Sequence, residues 1–284
     1  MLVDLATCRD KPGVTADDAV LARALEARGA EVRALPWEEI AAGGADVVCL
    51  RSTWDYHRRW DEFRRWIGAF EDRPGLLWNP PATVLWNADK RYLQALGSAG
   101  VRLPVTHWVE PGERPDCDRF FREAGTGRAV LKPRVSATAY STHLLQPGDR
   151  LDDATWAPLE SVGSLLQAFV PEIAEGEASL MFVDGAFTHA VRKHPSAGEF
   201  RVQHDFGGRL EALEPSAALQ AFAEQIFEAV AYEWLYARVD VVETAAGPVL
   251  MELELIEPDL FLARAPAAAE RLAEALLRQG SRAG

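Results

Sequence analysis

Tyr236-Ala237-Arg238-Val239-Asp240-Val241-Val242-Glu243, then Thr244 to Pro248, then Val249-Leu250-Met251-Glu252-Leu253-Glu254-Leu255-Ile256-Glu257-Pro258, is the stretch that decides the reading of this chain. Two apolar runs flank a five-residue turn containing Gly247, the pattern of a β-hairpin. Side chains alternate faces along a strand, so Glu252 and Glu254 share one face. With the turn centred on Ala246, Asp240 lies opposite Glu252 on that face, and Arg238 lies opposite Glu254. Stacked carboxylates on an apolar hairpin repel one another, and burying them unpaired is expensive. Oxygen-only ligands suit Mg²⁺ or Mn²⁺, and Mg²⁺ takes a few carboxylates together with nucleotide phosphates. The competing reading is a solvated face held by salt bridges to Arg238 and neighbouring cations.

Working outward, the remaining segments supply cations and a loop. Lys132 closes the apolar run Val130-Leu131-Lys132-Pro133, where a lysine either reaches solvent or meets an anion. The loop from Arg134 to His143 carries Ser136, Thr138, Ser141 and Thr142, small hydroxylated residues suited to phosphate oxygens. Lys90, in Asn87-Ala88-Asp89-Lys90-Arg91-Tyr92, is expected in the first turns of a helix. Arg192 and Lys193 close a strand. The run from Glu199 to Gly208 sets Arg201 and His204 beside the pair Gly207-Gly208. No GxxxxGK[ST] and no GxGxxG occurs, so neither a P-loop nor a dinucleotide fingerprint is present. Acids, scattered cations and a hydroxyl loop together form an inventory for phosphoryl transfer.

Residues 1–7 read as a buried strand. A helix follows, capped at Thr15, with Leu21, Ala24 and Leu25 as its apolar stripe and Gly29 as its stop. Glu31 to Leu35 and Asp46 to Leu50 read as further strands, making a small doubly wound unit over about the first hundred residues. The last strand runs into Arg51-Ser52-Thr53-Trp54-Asp55-Tyr56, a cation, two hydroxyls, an acid and two aromatics where α/β sheets bind ligands. This segment is read as the substrate rim, against a plain packing loop. The tryptophans between Trp37 and Trp108 are read as packing between lobes. Strands are expected over 128–133, 164–170, 179–183 and 187–191, the last two joined at Asp184-Gly185. Helices are expected over 216–232 and from Pro266 to an end before Gly280.

The chain has 284 residues, enough for two or three packed lobes, with 48% hydrophobic and 26% charged residues. A net charge of −13 argues against a nucleic-acid partner. Cys8, Cys49 and Cys117 fit neither a zinc site nor a disulfide framework. No apolar run has the roughly 20 residues of a membrane span, and the first residues lack a basic, cleavable leader pattern. A reduced, cytoplasmic protein without a membrane partner is expected, and a homodimer is the base-rate expectation.

In order, the phrases RSTWDY, NADKRYL, VLKP, LLQAFVP, GEASL, HAVRK, EFRVQHDFGG, YARVDVV and LMELELIEP resemble the ATP-grasp superfamily. They are similar to its glutathione-synthetase and ribosomal-protein-glutamate-ligase branch, and within it to the subgroup of the cyclo-ligase that closes O-ureido-D-serine to D-cycloserine. The resemblance runs from about residue 46 to 262. It implies an α/β chain of α+β lobes: a Rossmann-like pre-ATP-grasp domain over 1–88, a small lobe over 89–170 and a C-terminal lobe with the metal site over 171–284. It implies that Lys90 and Lys132 hold ATP phosphates, beside Ser136 of the lid. Gln167, Ala168, Phe169 and Val170 would read adenine, and Glu177 would take the ribose hydroxyls. Lys193 and Arg201 would stabilise the γ-phosphate and acyl phosphate. Asp240, Glu252 and Glu254 would ligate Mg²⁺ (or Mn²⁺).

Two departures stand out. Glu254 occupies the position of a usual Asn, and the lid Val135 to Thr142 has no glycine. The implied activity is an ATP-dependent carboxylate–amine ligase or cyclo-ligase on a small amino-acid-like substrate, with Arg51 to Tyr56 and Arg238 on the substrate side. The alternatives are an amino-acid or peptide ligase of a natural-product pathway, and a nucleotide-binding module with little turnover. A dinucleotide-dependent oxidoreductase is disfavoured by the missing glycine fingerprint.

Overall fold

A computed structural model describes residues 1–202 and 207–283. Gln203 to Phe206, including His204, lie outside the described residues. The first sheet contains β1 (Leu2–Thr7), β2 (Glu31–Pro36), β3 (Val47–Leu50) and β4 (Leu77–Trp78), all parallel, in the order β2-β1-β3-β4. All four residues of β3 are buried, as a continuous apolar run requires when a parallel strand is covered on both faces. Val47 and Cys49 face one core, and Val48 and Leu50 the other.

The helix after β1, α1 (Asp18–Glu26), begins later than its cap residue. Thr15 Oγ1 accepts from Asp18 N at 3.0 Å across a turn at residues 16–17. On the second face, α2 (Trp60–Gly68) buries Phe63 and Ile67. Trp37 and Trp66 stack around Phe63, so these tryptophans pack inside the N-terminal unit and not between lobes.

A helical stretch follows as two pieces, α3 (Pro81–Ala88) and α4 (Tyr92–Ser98). Asp89 is extended between them, pinned by the Arg134 guanidinium, and Lys90 N donates to Arg134 O at 2.9 Å. Lys90 therefore sits in the break and not in the first turns of a helix. The middle sheet contains β5 (Thr106–Val109), β6 (Ala129–Pro133), β7 (His143–Leu145) and β8 (Ser164–Ala168), antiparallel in the order β5-β8-β6-β7. It is covered by α5 (Cys117–Ala124) and α6 (Asp153–Glu160) through Phe120, Phe121, Trp156 and Leu159.

The third sheet is antiparallel, in the order β11-β10-β9-β12-β13. Its strands are β9 (Glu177–Val183), β10 (Ala186–His194), β11 (Arg209–Leu213), β12 (Tyr236–Thr244) and β13 (Gly247–Glu254). Asp184 and Gly185, both with positive φ, join β9 to β10, the geometry a right-twisted two-residue hairpin needs. Alternation then sorts the residues. Ala178, Leu180, Phe182, Ala237, Val239 and Val241 pack against α7 (Ala217–Glu228) and α4. On the opposite face, Met181, Val183 and Tyr236 join the core shared with the first sheet, while Glu177, Arg238 and Asp240 open toward a cavity, with Ser179 buried behind Asp240.

The final helix, α8 (Pro266–Ala283), extends beyond the expected stop at Gly280 and belongs to the first core. Its Leu272, Ala273 and Leu276 pack with Leu21 and Leu25 of α1 and with Val47 of β3. Arg271 Nε also donates to Val183 O at 2.9 Å, so the helix bridges the parallel sheet and the third sheet and does not belong to the C-terminal lobe alone.

Candidate active site

The acidic hairpin forms by a route the sequence did not indicate. Thr244 pairs with Gly247, so the turn has two residues and not five. Continued without interruption, that ladder would set Met251 opposite Asp240 and send Glu252 and Glu254 to the helix-covered face. A bulge at Met251 inserts one residue, and the register becomes Asp240 opposite Glu252 and Arg238 opposite Glu254. The expected pairing is observed because two displacements of the turn and ladder cancel.

The outer edge of β13 carries no further strand. Side chains close it instead, as an edge strand requires. Asn87 donates to Leu253 O and accepts from Leu255 N, both at 2.8 Å. Tyr92 Oη accepts from Leu253 N at 3.0 Å. Asn79, fully buried, donates to Tyr236 O and Leu255 O and accepts from Leu235 N. The acids are thereby fixed to the segment carrying Lys90.

One face of the sheet bears a mesh of alternating charge. Lys193 Nζ lies 2.5 Å from Glu177 Oε1, its cross-strand partner, and 3.1 Å from Asp240 Oδ2. Asp240 also accepts from Arg238 and, at 2.5 Å, from Ser179 Oγ. Arg238 reaches Glu254 and donates to Asp259 O at 3.1 Å. Lys90 Nζ lies 3.1 Å from Glu252 Oε1 and donates to Ser136 O at 2.9 Å. Lys132 is half-buried on the wall opposite.

Titration follows from this arrangement. Burial alone would raise Asp240, but Arg238 and Lys193 outweigh it and hold the carboxyl at about 2. Burial, then Glu252 and Asp240, raises Glu254 to about 7 despite Arg238. Burial and Glu254 push Glu257 up to about 8. Lys132 is lowered by burial and by Lys90, though Glu252 opposes the change. Burial is the first cause of each upward shift, and the paired cations reverse it at Asp240.

Among the described residues, no three carboxylate, histidine or cysteine groups converge into a preformed metal cage. Asp240, Glu252 and Glu254 are each bound to a cation. Their chemistry nevertheless fits a hard divalent ion. All donors are oxygen, Glu252 and Glu254 keep an open side, and Glu254 is raised by burial and by the neighbouring Glu252 and Asp240.

The cavity has a volume of about 600 Å³. At one end lie Val130, Gln167, Ala168, Phe169 and Val170 with Ile173, Val202 and Met251. Val242 packs behind this group, forming an apolar slot. The middle holds Lys90, Lys132, Ser136, Glu177, Lys193, Arg201, Arg238, Asp240, Glu252 and Glu254. The other end is built by the N-terminal unit and the segment after β13: Cys8, Lys11, Trp54, Asp55, Tyr56, Glu257 and Asp259.

Arg201 is paired with Glu199 at 2.6 Å. Arg51, Ser52 and Thr53 do not line the cavity. Arg51 is buried with Asp18 at 2.7 Å and the Pro258 carbonyl at 3.0 Å, an internal strut that turned inward because α1 supplies its counter-charge. Ser52 and Thr53 are fully buried behind it. Asp55 reaches the cavity while accepting from Trp37 Nε1 at 3.0 Å and Arg59 at 2.5 Å. Sequence reasoning missed Met251, Ile173, Val202, Lys11 and Glu257. Only Glu257 carried a legible signal, as a third acid in an apolar run.

In the glycine-free lid, Thr138, Ala139 and Ser141 take φ of 52°, 55° and 51°, the left-handed region that glycine normally fills. Tyr140 between them stacks on His57 of the N-terminal unit, with ring centroids 4.9 Å apart.

Comparison with known proteins agrees with this architecture. Residues 3–79 match the N-terminal domain of D-cycloserine synthetase DcsG, and residues 114–259 match the ATP-grasp domain of prokaryotic glutathione synthetase. The cycloserine biosynthesis protein DcsG of Streptomyces lavendulae is 30% identical over 261 residues, covering 81% of this chain and 82% of that protein. A glutathione synthetase of Parasynechococcus marenigrum (strain WH8102) is 28% identical over 191 residues, 64% of this chain and 57% of its own length. The crystal structure of D-cycloserine synthetase DcsG superposes with a TM-score of 0.82 at 26% identity, covering all of both chains. A D-alanine–D-alanine ligase from Bacillus anthracis shares the fold at a TM-score of 0.70 and 16% identity, covering 99% of this chain and 98% of its own. With the ATP-grasp domain spanning half its length and a full-length relative at this identity, the chain belongs to the ATP-grasp family of ATP-dependent ligases that form C–N bonds.

Proposed function

We propose that the cavity binds Mg-ATP and an amino-acid-like carboxylate, and that the enzyme activates the carboxylate as an acyl phosphate for attack by nitrogen. The observation that carries this reading is the mesh of alternating charge on one sheet face, bounded by an apolar slot on one side and a polar end on the other. The adenine lies in the slot between Phe169, Val170, Ile173 and Met251, beside Gln167 and Ala168. Glu177 takes the ribose hydroxyls. Lys90 and Lys132 hold the phosphates, and the lid closes over them at Ser136. Asp240, Glu252 and Glu254 would hold Mg²⁺ (or Mn²⁺), which would supply positive charge to neutralise the phosphates.

A substrate carboxylate oxygen attacks the γ-phosphorus and ADP leaves. Lys193 and Arg201 stabilise the charge that develops. A nitrogen then attacks the carbonyl carbon and inorganic phosphate leaves. The protein forms no covalent bond; it positions and neutralises. The substrate lies toward Trp54, Asp55, Tyr56 and Arg238. Similarity to a cycloserine biosynthesis protein supports O-ureido-D-serine as substrate, with its oxygen-bound nitrogen closing the ring and water removing the carbamoyl group from that nitrogen as carbamate. ADP release measured with O-ureido-D-serine and a panel of amino acids tests the reading. Release with none of them removes it, and release with a peptide acceptor only makes the enzyme an intermolecular ligase.

A further inference from the structure

One acid at the substrate end has no role in the reaction so far described. Glu257 follows β13, is more than nine-tenths buried, and its side chain lines the cavity. No side chain among the described residues hydrogen-bonds or ion-pairs with its carboxylate. The nearby cations are engaged elsewhere: Arg238 with Asp240, Glu254 and the Asp259 carbonyl, Lys90 with Glu252 and Ser136, and Lys11 over the Trp54 ring at 4.5 Å. Its backbone, by contrast, is anchored, since Trp54 Nε1 donates to Glu257 O at 3.2 Å. Asp259 lies on the same floor and accepts from Phe261 N.

A buried carboxylate that opens on a cavity, held by its own backbone N–H and by the field of a Lys90 already paired with Glu252, is further stabilised as an anion when a ligand brings a positive charge. Burial first, then the charge of Glu254, raises its carboxyl, in keeping with a buried acid that lacks a paired cation. The aromatic rings of Trp54, Tyr56 and Phe261 line the same end and suit the flank of a small cation.

We propose that Glu257 is the specificity-determining residue that binds the ammonium group of the amino-acid substrate, so that the enzyme selects free α-amino acids over N-acylated or des-amino carboxylates. This inference rests on the proposed function, which places an amino-acid-like substrate at this end.

The test uses the full chain loaded with a non-hydrolysable ATP analogue and Mg²⁺. Calorimetric titration compares O-ureido-D-serine, D-serine, L-serine and D-alanine with their N-acetyl derivatives. Free amines are expected to bind and acetylated ones to fail. Glu257→Gln should weaken the free amines roughly ten- to a hundredfold, the worth of a charge-assisted contact, while affinity for the nucleotide analogue stays unchanged. Glu257→Asp should recover part of the loss. Three results overturn the proposal: a Gln variant that keeps the preference for free amines, one that loses nucleotide affinity to the same extent, or a wild type that binds none of the free amino acids. ADP release is the separate readout. Glu257-dependent amino-acid selectivity without turnover of O-ureido-D-serine upholds the inference and removes that substrate. Normal turnover by the Gln variant does the reverse.

Discussion

Lys90 and Glu252, brought from the helix break and the acidic strand, stand 3.1 Å apart across the cavity. In the proposed reaction they must exchange partners, the ammonium for a phosphate oxygen and the carboxylate for a metal ion. The pair thus holds the ligand-free site together without an uncompensated charge. Glu252→Gln keeps the volume and removes the negative charge. ADP release should fall roughly 10²–10³-fold, while the folded chain persists. Steady-state assays over a range of Mg²⁺ concentrations check this, and a near-normal rate would remove Glu252 from the metal site.

The carboxamide of Asn87 serves as the missing neighbour of β13. Asn87→Ala strands the Leu255 N–H and the Leu253 C=O in a buried setting. Each such group costs roughly 1–3 kcal/mol, so a loss of about 2–6 kcal/mol is expected in urea unfolding. A change below about 0.5 kcal/mol would show that the edge is closed by Tyr92 and Asn79 alone.

Stability should depend on pH in an unusual sense. Glu254 and Glu257 have folded values of about 7 and 8, above the ordinary glutamate value of 4.5. The folded chain binds these protons more tightly than the unfolded chain. Their contribution is therefore greatest in acid and is lost as pH rises through the folded values. The melting temperature of the ligand-free enzyme should fall between about pH 4.5 and 8, from the ordinary glutamate value up to the folded values, and Glu257→Gln should flatten the slope. Asp240 works in the other direction, but near pH 2, outside that window. Scanning calorimetry that finds a flat or rising profile for the wild type refutes the assignment.

The lid predicts its own substitutions. Ala139 takes a left-handed φ without glycine's freedom, at a cost of order 1 kcal/mol. Ala139→Gly removes that strain and returns some of the gain as unfolded-chain entropy, so thermal stability should hold or rise by up to about 1 kcal/mol. Ala139→Val, branched at Cβ, should lower it. Equal melting temperatures for the two variants would place the lid backbone elsewhere.

Much of this was legible in the sequence, for reasons specific to each segment. Period-two alternation put Arg238, Asp240, Glu252 and Glu254 on one face, and the continuous apolar run of β3 announced a covered parallel strand. The bulge was not legible, since nothing in Leu250-Met251-Glu252 marks the extra residue, and the correct pairing emerged from an incorrect turn. Arg51 was misread because strand-end position suggests exposure, whereas its partner Asp18 is 33 residues away and visible only after folding. The break at Asp89 likewise depends on Arg134, 45 residues further on. Local pattern identifies faces; long-range ion pairs decide which polar residues turn inward.

The placement of α8 has a bearing on how the chain comes to be made. Leu272 and Leu276 complete the apolar packing around α1 and β3, although more than two hundred residues separate them from β3 in synthesis. Until the last helix emerges, that side of the first strands lacks part of its cover, so this core is completed only once the end of the chain has been made.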